Sequence, residues 1–219
     1  MIKLSFCITS YYRDIHYVER VLSALSQQTA APYEILIYCS GIKNIQISKD
    51  ITINSKIIPI KTIIDNTPQL QTVARNTCAY HSEGDVVSFF DVDDIPHPQK
   101  IEIISAHINS YDFLVHSYKT DNNNFSKIDL QKIKYYTNLY IDKNPKSTNL
   151  KVVPDRPIHH GHITLKKNIF NTLRYDEDFY YTKPNGQKFC HGEDGRFCQS
   201  LINHNFKGIF IDEPLILYT

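Results

Sequence analysis

Val86-Val87-Ser88-Phe89-Phe90-Asp91-Val92-Asp93-Asp94 is an apolar run that ends in three carboxylates. Broken only by Ser88, the stretch from Val86 to Phe90 suits a strand covered on both faces, as in a parallel sheet. The aspartates then emerge where such sheets place ligands, beyond the carboxyl ends of the strands. If the strand continues, Asp91 and Asp93 point to one side, because side chains alternate with period two. Two hard oxygen donors on one side suit Mg²⁺ or Mn²⁺ and leave positions open for phosphate oxygens. The competing reading is a surface turn, where Asp is also common.

The rest of the first half supplies partners for that strand. Strands are expected at 3–9, 34–39 and 56–60 beside 86–91, with helices at 16–28, 69–82 and 97–108. The order β-α-β-β-α-β predicts an α/β fold with a doubly wound, mostly parallel, Rossmann-like central sheet flanked by helices. Tyr111 to Tyr118 reads as a further strand. Beyond it regularity weakens: a helix is expected over 128–140 among polar loops that run from 119 to 157. Ile163 to Lys166 reads as a strand, 167–172 as a short helix, the residues after Glu193 as another, and 208–218 as the last strands.

Bulk properties bound the function. The length of 219 residues accommodates one catalytic-sized α/β core and argues against two full domains. A formal net charge of +1 gives no electrostatic reason to bind nucleic acid or an anionic membrane. The longest aliphatic run, Ile57 to Ile64, contains Pro59 and Lys61 and is too short to span a bilayer. A first strand close to Met1 leaves no room for a signal peptide, so a cytoplasmic location is expected. None of the five cysteines forms a C-x-x-C pair, which fits reduced thiols. Cys190, His191, Cys198 and His204 lack the spacing of a zinc finger or ribbon.

Several separated segments recur together. Ser5-Phe6-Cys7-Ile8-Thr9-Ser10-Tyr11-Tyr12-Arg13 opens the chain, followed by a helix ending Leu22-Ser23-Ala24-Leu25-Ser26-Gln27-Gln28-Thr29. Ala74-Arg75-Asn76 precedes the aspartates, and Gly192-Glu193-Asp194 and Asp212-Glu213-Pro214-Leu215 follow. In this order they resemble glycosyltransferase family 2, from about Leu4 to the end of the chain. The resemblance implies the nucleotide-sugar-binding GT-A fold in a single domain, with a donor half at about 1–118 and an acceptor half at about 119–219. It implies an inverting, metal-dependent transfer of a hexosyl or N-acetylhexosaminyl group from a nucleotide-diphosphate sugar, UDP being the leading base. The acceptor would be a hydroxyl of a carbohydrate, protein or lipid.

The same resemblance implies roles residue by residue. Asp93 would hold Mn²⁺ or Mg²⁺, with Asp91 binding the ion through water or holding the ribose, and Asp94 orienting the sugar or capping a helix. Asp194 would be the general base and Glu193 a partner for an acceptor hydroxyl; the competing role for both is capping a helix start. Thr9, Ser10, Tyr11, Arg13 and Arg75 would cradle the donor. Tyr11 offers a ring face to a base, and the two arginines suit the diphosphate.

Two features depart from the pattern. The family's V-D-D-G-S, whose aspartate reads uracil, is Ile37-Tyr38-Cys39-Ser40-Gly41 here. Asp65 either substitutes for that aspartate or serves a turn. His159-His160-Gly161-His162 adds imidazoles, and strand alternation predicts His160 and His162 together, as metal or acceptor ligands or as ordinary strand residues. A sugar nucleotidyltransferase is disfavoured because Thr9 to Arg13 contains no glycine. A non-catalytic nucleotide- or sugar-binding relative of the fold remains the other alternative.

Overall fold

In the computed structural model the residues described are 2–121, 123–142 and 150–219. Strand β1 (Leu4–Tyr11) passes through α1 (Val18–Ser26) to β2 (Glu34–Ser40), and a hairpin follows, β3 (Asp50–Ile53) and β4 (Lys56–Asp65). Helix α2 (Gln71–His81) crosses to β5 (Val86–Asp91), then β6 (Ile95–Pro96), α3 (Lys100–His107) and β7 (Phe113–Lys119). Later come β8 (Tyr135–Tyr136), β9 (Leu139–Ile141), β10 (Leu150–Val152), β11 (His159–Lys166), β12 (Tyr181–Thr182), β13 (Lys188–Phe189), α4 (Glu193–Asn203) and β14 (Gly208–Leu217).

The main sheet has the order β3-β4-β2-β1-β5-β11-β7-β14-β6, and β8 pairs with β14 outside that path. Strands β4, β2, β1 and β5 run parallel, as expected, and β7 runs parallel to β14. Between the two blocks β11 runs antiparallel to both β5 and β7. The register aligns Tyr11 with Ser40, Ser40 with Asp65, and Thr9 with Asp91. The carboxyl ends of four strands therefore share one edge, and the antiparallel β11 brings its amino end, His159 to His162, to that same edge.

Period-two alternation sorts the core into two faces. Leu4, Phe6 and Ile8 pack with α1 and α3, whereas Cys7, Val87 and Phe89 pack with α2 and α4. Three layers result, with both faces of the sheet covered by helices. Ser88, the polar interruption of the apolar run, is fully buried, and Thr164 on β11 donates to its hydroxyl at 2.8 Å. A satisfied pair of this kind avoids the cost of roughly 1–3 kcal/mol for an unpaired buried hydroxyl.

The helix expected over 128–140 does not form. Asp129 instead closes a turn, its side chain accepting the N–H of Gln131 and its carbonyl that of Lys132. Tyr135 and Tyr136 then pair with Ile211 and Phe210 of β14. Tyrosines prefer a pleated, half-buried surface, and the open edge of β14 supplies one. The expected loop 142–157 contains β10, which pairs with β9; residues 143–149 lie outside the described residues. The expected short helix at 167–172 is a 3₁₀ turn over Lys167–Asn171. Among the described residues no helix is long and apolar enough to cross a membrane.

Candidate active site

The shared strand edge gathers residues that lie far apart in sequence. Asp91, the last residue of β5, receives Thr9 Oγ1 at 3.3 Å and Gln71 Nε2 at 2.7 Å on its Oδ1. Gln71 also donates to Thr9 Oγ1 at 2.6 Å, so β1, α2 and β5 are tied at one point. Gln71 stands four residues before Arg75, which puts both on one face of α2. That spacing is the signal by which Gln71 could have been found from sequence; it was missed.

Arg75 is almost wholly buried and is the hub of the site. Its Nη2 lies 3.2 Å from Asp91 Oδ1, its Nη1 lies 3.4 Å from Glu193 Oε1, and Nη1 also donates to Asp194 Oδ1. Burial alone would raise the pKa of Asp91, but the Arg75 guanidinium and then His162 and His159 outweigh it and hold Asp91 below the usual carboxylate range. Asp194 and Glu193 occupy the first turn of α4, after Gly192, whose φ of 81° is left-handed and suits glycine. No side-chain cap bond is made there, and both carboxylates turn to Arg75.

Strand β5 stops at Asp91, so the alternation that would align Asp93 with it does not apply. The N–H of Asp94 turns back to the Asp91 carbonyl at 3.2 Å, while Arg20 and Thr219 both donate to the Asp93 carbonyl. Asp93 is pushed up to about 6 by burial, then by its neighbours Asp94 and Asp91. Burial likewise raises Asp94 to about 6. Carboxylates that repel one another in a half-dry turn favour a cation among them.

The histidines are arranged differently from expectation. A register shift between His159 and Thr164 interrupts the alternation along β11. His160 turns away to the backbone of Leu150, at 3.1 Å from its N–H and 3.3 Å from its carbonyl. His159 and His162 come together instead, with ring centroids 4.4 Å apart. His162 Nε2 lies 2.9 Å from Asp94 Oδ2 and 3.7 Å from Asp91 Oδ2. Between the imidazoles, Gly161 lets the backbone approach closely. A Cβ there would lie 3.0 Å from Asp91 Oδ2, 3.1 Å from Arg75 Nη2 and 3.2 Å from Asp194 Oδ2.

A cleft of about 1020 Å³ borders the site at Gln71, lined also by Tyr11, Tyr12 and Arg13 and by Tyr180, Lys188 and Phe189 of the β12–β13 region. Arg13 is exposed and donates to the Tyr12 hydroxyl at 2.9 Å. Ser10, buried at the end of β1, donates to the Tyr11 carbonyl at 3.4 Å. Asp65 sits on the same edge with both oxygens engaged: Oδ1 accepts from the N–H and hydroxyl of Thr67, and Oδ2 from Tyr38 at 3.2 Å. Gly41, with φ of 73°, lets the chain pass close to Tyr12 and Pro68. The five cysteines are free, and Cys198 is buried inside α4.

Comparison with known proteins gives a consistent picture. The model of glycosyl transferase family 2 matches residues 5–174. A protein of Haemophilus influenzae described as an uncharacterized glycosyltransferase is 30% identical over 121 residues, which cover 54% of this chain and 40% of that protein. Crystal structures of S. aureus TarS residues 1–349 align with all of this chain and 60% of theirs, at 16% identity, with TM-scores of 0.63 alone and 0.62 with UDP bound. The same fragment with UDP-GlcNAc aligns at a TM-score of 0.59. This chain thus spans less than two thirds of the relatives it matches, and at such low identity the TarS likeness concerns the fold.

Proposed function

The chain belongs to glycosyl transferase family 2, and on that premise we propose that it transfers a sugar from a nucleotide-diphosphate sugar to an acceptor hydroxyl with inversion. The observation that carries this reading is Arg75, which joins Asp91 of the proposed donor half (about 1–118) to Asp194 of the proposed acceptor half (about 119–219). Attack on an anomeric carbon needs donor and base within reach of one point, and such convergence supplies orientation that is costly in solution.

In this reading Tyr11 and Tyr12 face the nucleotide base, and Arg13 takes the diphosphate from the open side of the cleft. UDP is the favoured nucleotide, supported by the TarS complex with UDP. A base contact by Asp65 would require release of its bonds to Thr67 or Tyr38. The raised pKa values of Asp93 and Asp94 fit a divalent ion, Mn²⁺ or Mg²⁺, at the turn after β5. Such an ion would stabilise charge on the leaving diphosphate as a Lewis acid. Asp194 is the base that receives the acceptor proton, its carboxylate fixed by Arg75; Glu193 is placed to bind another acceptor hydroxyl. The sugar itself is proposed as a hexose or N-acetylhexosamine, and the acceptor as a carbohydrate, protein or lipid.

A panel of nucleotide sugars with Mn²⁺ or Mg²⁺, scored for released nucleotide, tests the proposal. Release from one UDP-sugar above the rate without enzyme is expected, since slow hydrolysis accompanies a bound, activated donor. Tight UDP binding without release from any sugar, even with acceptors supplied, favours the non-catalytic relative.

A further inference from the structure

A second cavity, of about 720 Å³, lies between the last turn of α2, the start of β5 and the 3₁₀ turn Lys167–Asn171. Val86 lines it, whereas Asp91 belongs to the active edge, so the two sites sit at opposite ends of β5. Six strand residues separate them by about 16 Å. The floor is apolar, since Ala79, Val86 and Phe170 are buried core residues. Beside it Tyr80 is 77% exposed and forms an aromatic wall. Hydrogen bonds pin the surrounding segments. The Lys167 N–H donates to the Asp85 carbonyl at 2.8 Å. Asn76 accepts the Tyr175 N–H at 3.0 Å and donates to the Tyr175 carbonyl at 2.9 Å. Such a volume behind preformed walls is that of a small-molecule site.

The rim of the cavity is cationic. The Lys167 ammonium donates to the Ser82 carbonyl, and Arg174 Nε donates to the Phe170 carbonyl at 3.4 Å. Among the described residues neither cation forms an ion pair, whereas Lys166 is matched by Asp112 at 3.4 Å. Most of the three donors of a lysine and the five of an arginine therefore remain for a ligand. Asp85 is the acidic side chain among the described lining residues, and its Oδ2 already accepts the N–H of Lys3 at 3.2 Å.

We propose that this cavity binds a small aromatic anion, a flat ring system carrying one carboxylate, sulfonate or phosphate group. The rings rest on the floor at Val86 and Phe170 against Tyr80, and the anion meets Lys167 and Arg174 at the rim. Removing the rings from water supplies affinity, and the guanidinium fork fixes the oxyanion's orientation. A sugar would set hydroxyls against the apolar floor without partners. A cationic ligand would meet two unpaired positive charges. The site is separate from sugar transfer and does not depend on it.

Calorimetric titration of the intact protein with naphthalene-2-sulfonate tests the site. One molecule per chain is expected to bind, with a dissociation constant below about 1 mM. Arg174→Gln and Tyr80→Ala, both at exposed positions, should each weaken binding by about tenfold. Tyr12→Ala, in the other cleft, should leave it unchanged. Urea denaturation confirms that the variants fold. The uncharged 2-naphthol, with the same rings, should bind about tenfold more weakly or worse. Absence of saturable binding below that limit overturns the proposal, as does binding that neither Arg174→Gln nor Tyr80→Ala weakens. Equal affinity for 2-naphthol overturns it too, because the cationic rim would then play no part. Binding lost in Tyr12→Ala would place the probe in the cleft beside Tyr11 to Arg13 and likewise overturn it.

Discussion

Arg75 Nη1 donates to Oδ1 of Asp194, a residue 119 positions further along the chain, and the pair closes the gap between α2 and α4. Removing one partner of a buried ion pair leaves the other charge uncompensated. Arg75→Met should therefore destabilise the protein by about 3–5 kcal/mol, because Asp91, Asp194 and Glu193 lose a shared counter-charge. Arg75→Lys should recover part of that stability but little transfer, because an ammonium cannot reproduce a planar fork spanning three carboxylates. Urea denaturation and turnover measured on both variants check this, and unchanged stability in Arg75→Met would contradict the hub.

Gly161 tests how closely the backbone must approach the carboxylates. An added methyl would meet Asp91, Arg75 and Asp194 at 3.0 to 3.2 Å, tighter than ordinary van der Waals contact. Gly161→Ala should cost only about 1–2 kcal/mol of stability. Turnover should fall by about tenfold or more, since small displacements of reacting groups are expensive. Comparison of the melting temperature with kcat separates the two effects; an undisturbed kcat would show that the carboxylates do not act at this spacing.

Asp194→Asn separates base chemistry from a purely structural tie to Arg75. A structural role alone predicts a loss of stability, since Arg75 loses a charged partner, with near-normal transfer by the protein that remains folded. A general-base role predicts a loss of about two to four orders of magnitude in transfer. Donor affinity should stay near wild type, because the residue lies on the acceptor side. Near-normal transfer would remove Asp194 as the base and turn attention to Glu193.

Lys100 supplies a pH signature. It is fully buried, donates to His116, and is pushed down to about 7 by burial. Below pH 7 the folded state carries the full penalty of a buried ammonium. Between pH 7 and the unfolded value of 10.5 the unfolded chain binds more protons, so stability rises with pH. Relative to Lys100→Met, the wild type should gain about 2 kcal/mol from pH 7 to 9. Paired urea titrations at the two values measure it; a constant difference would mean that Lys100 is not desolvated.

The acid edge was legible because β5 is a continuous apolar run, and such a run has few places other than the middle of a parallel sheet. Asp91, Arg75 and Asp194 were named from residue types in an ordered pattern, and the fold brings all three together. Local rules failed where tertiary contacts decide. Tyr135 and Tyr136 were assigned to a helix, but the free edge of β14 draws them into a strand. His160 and His162 were paired by strict alternation, whereas the irregularity in β11 pairs His159 with His162. The β12–β13 hairpin, only two residues a side, was too short to carry a periodic signal.

The central claim is that the edge formed by Thr9 to Arg13, Arg75 and Asp91 to Asp94 binds a nucleotide diphosphate. Isothermal titration of the intact protein with UDP, with and without Mn²⁺, measures it most directly. The account predicts saturable binding that strengthens by about tenfold or more with the ion, because the diphosphate charge otherwise faces unshielded carboxylates. UDP binding that is absent with every divalent ion tried, in protein shown to be folded, would contradict it.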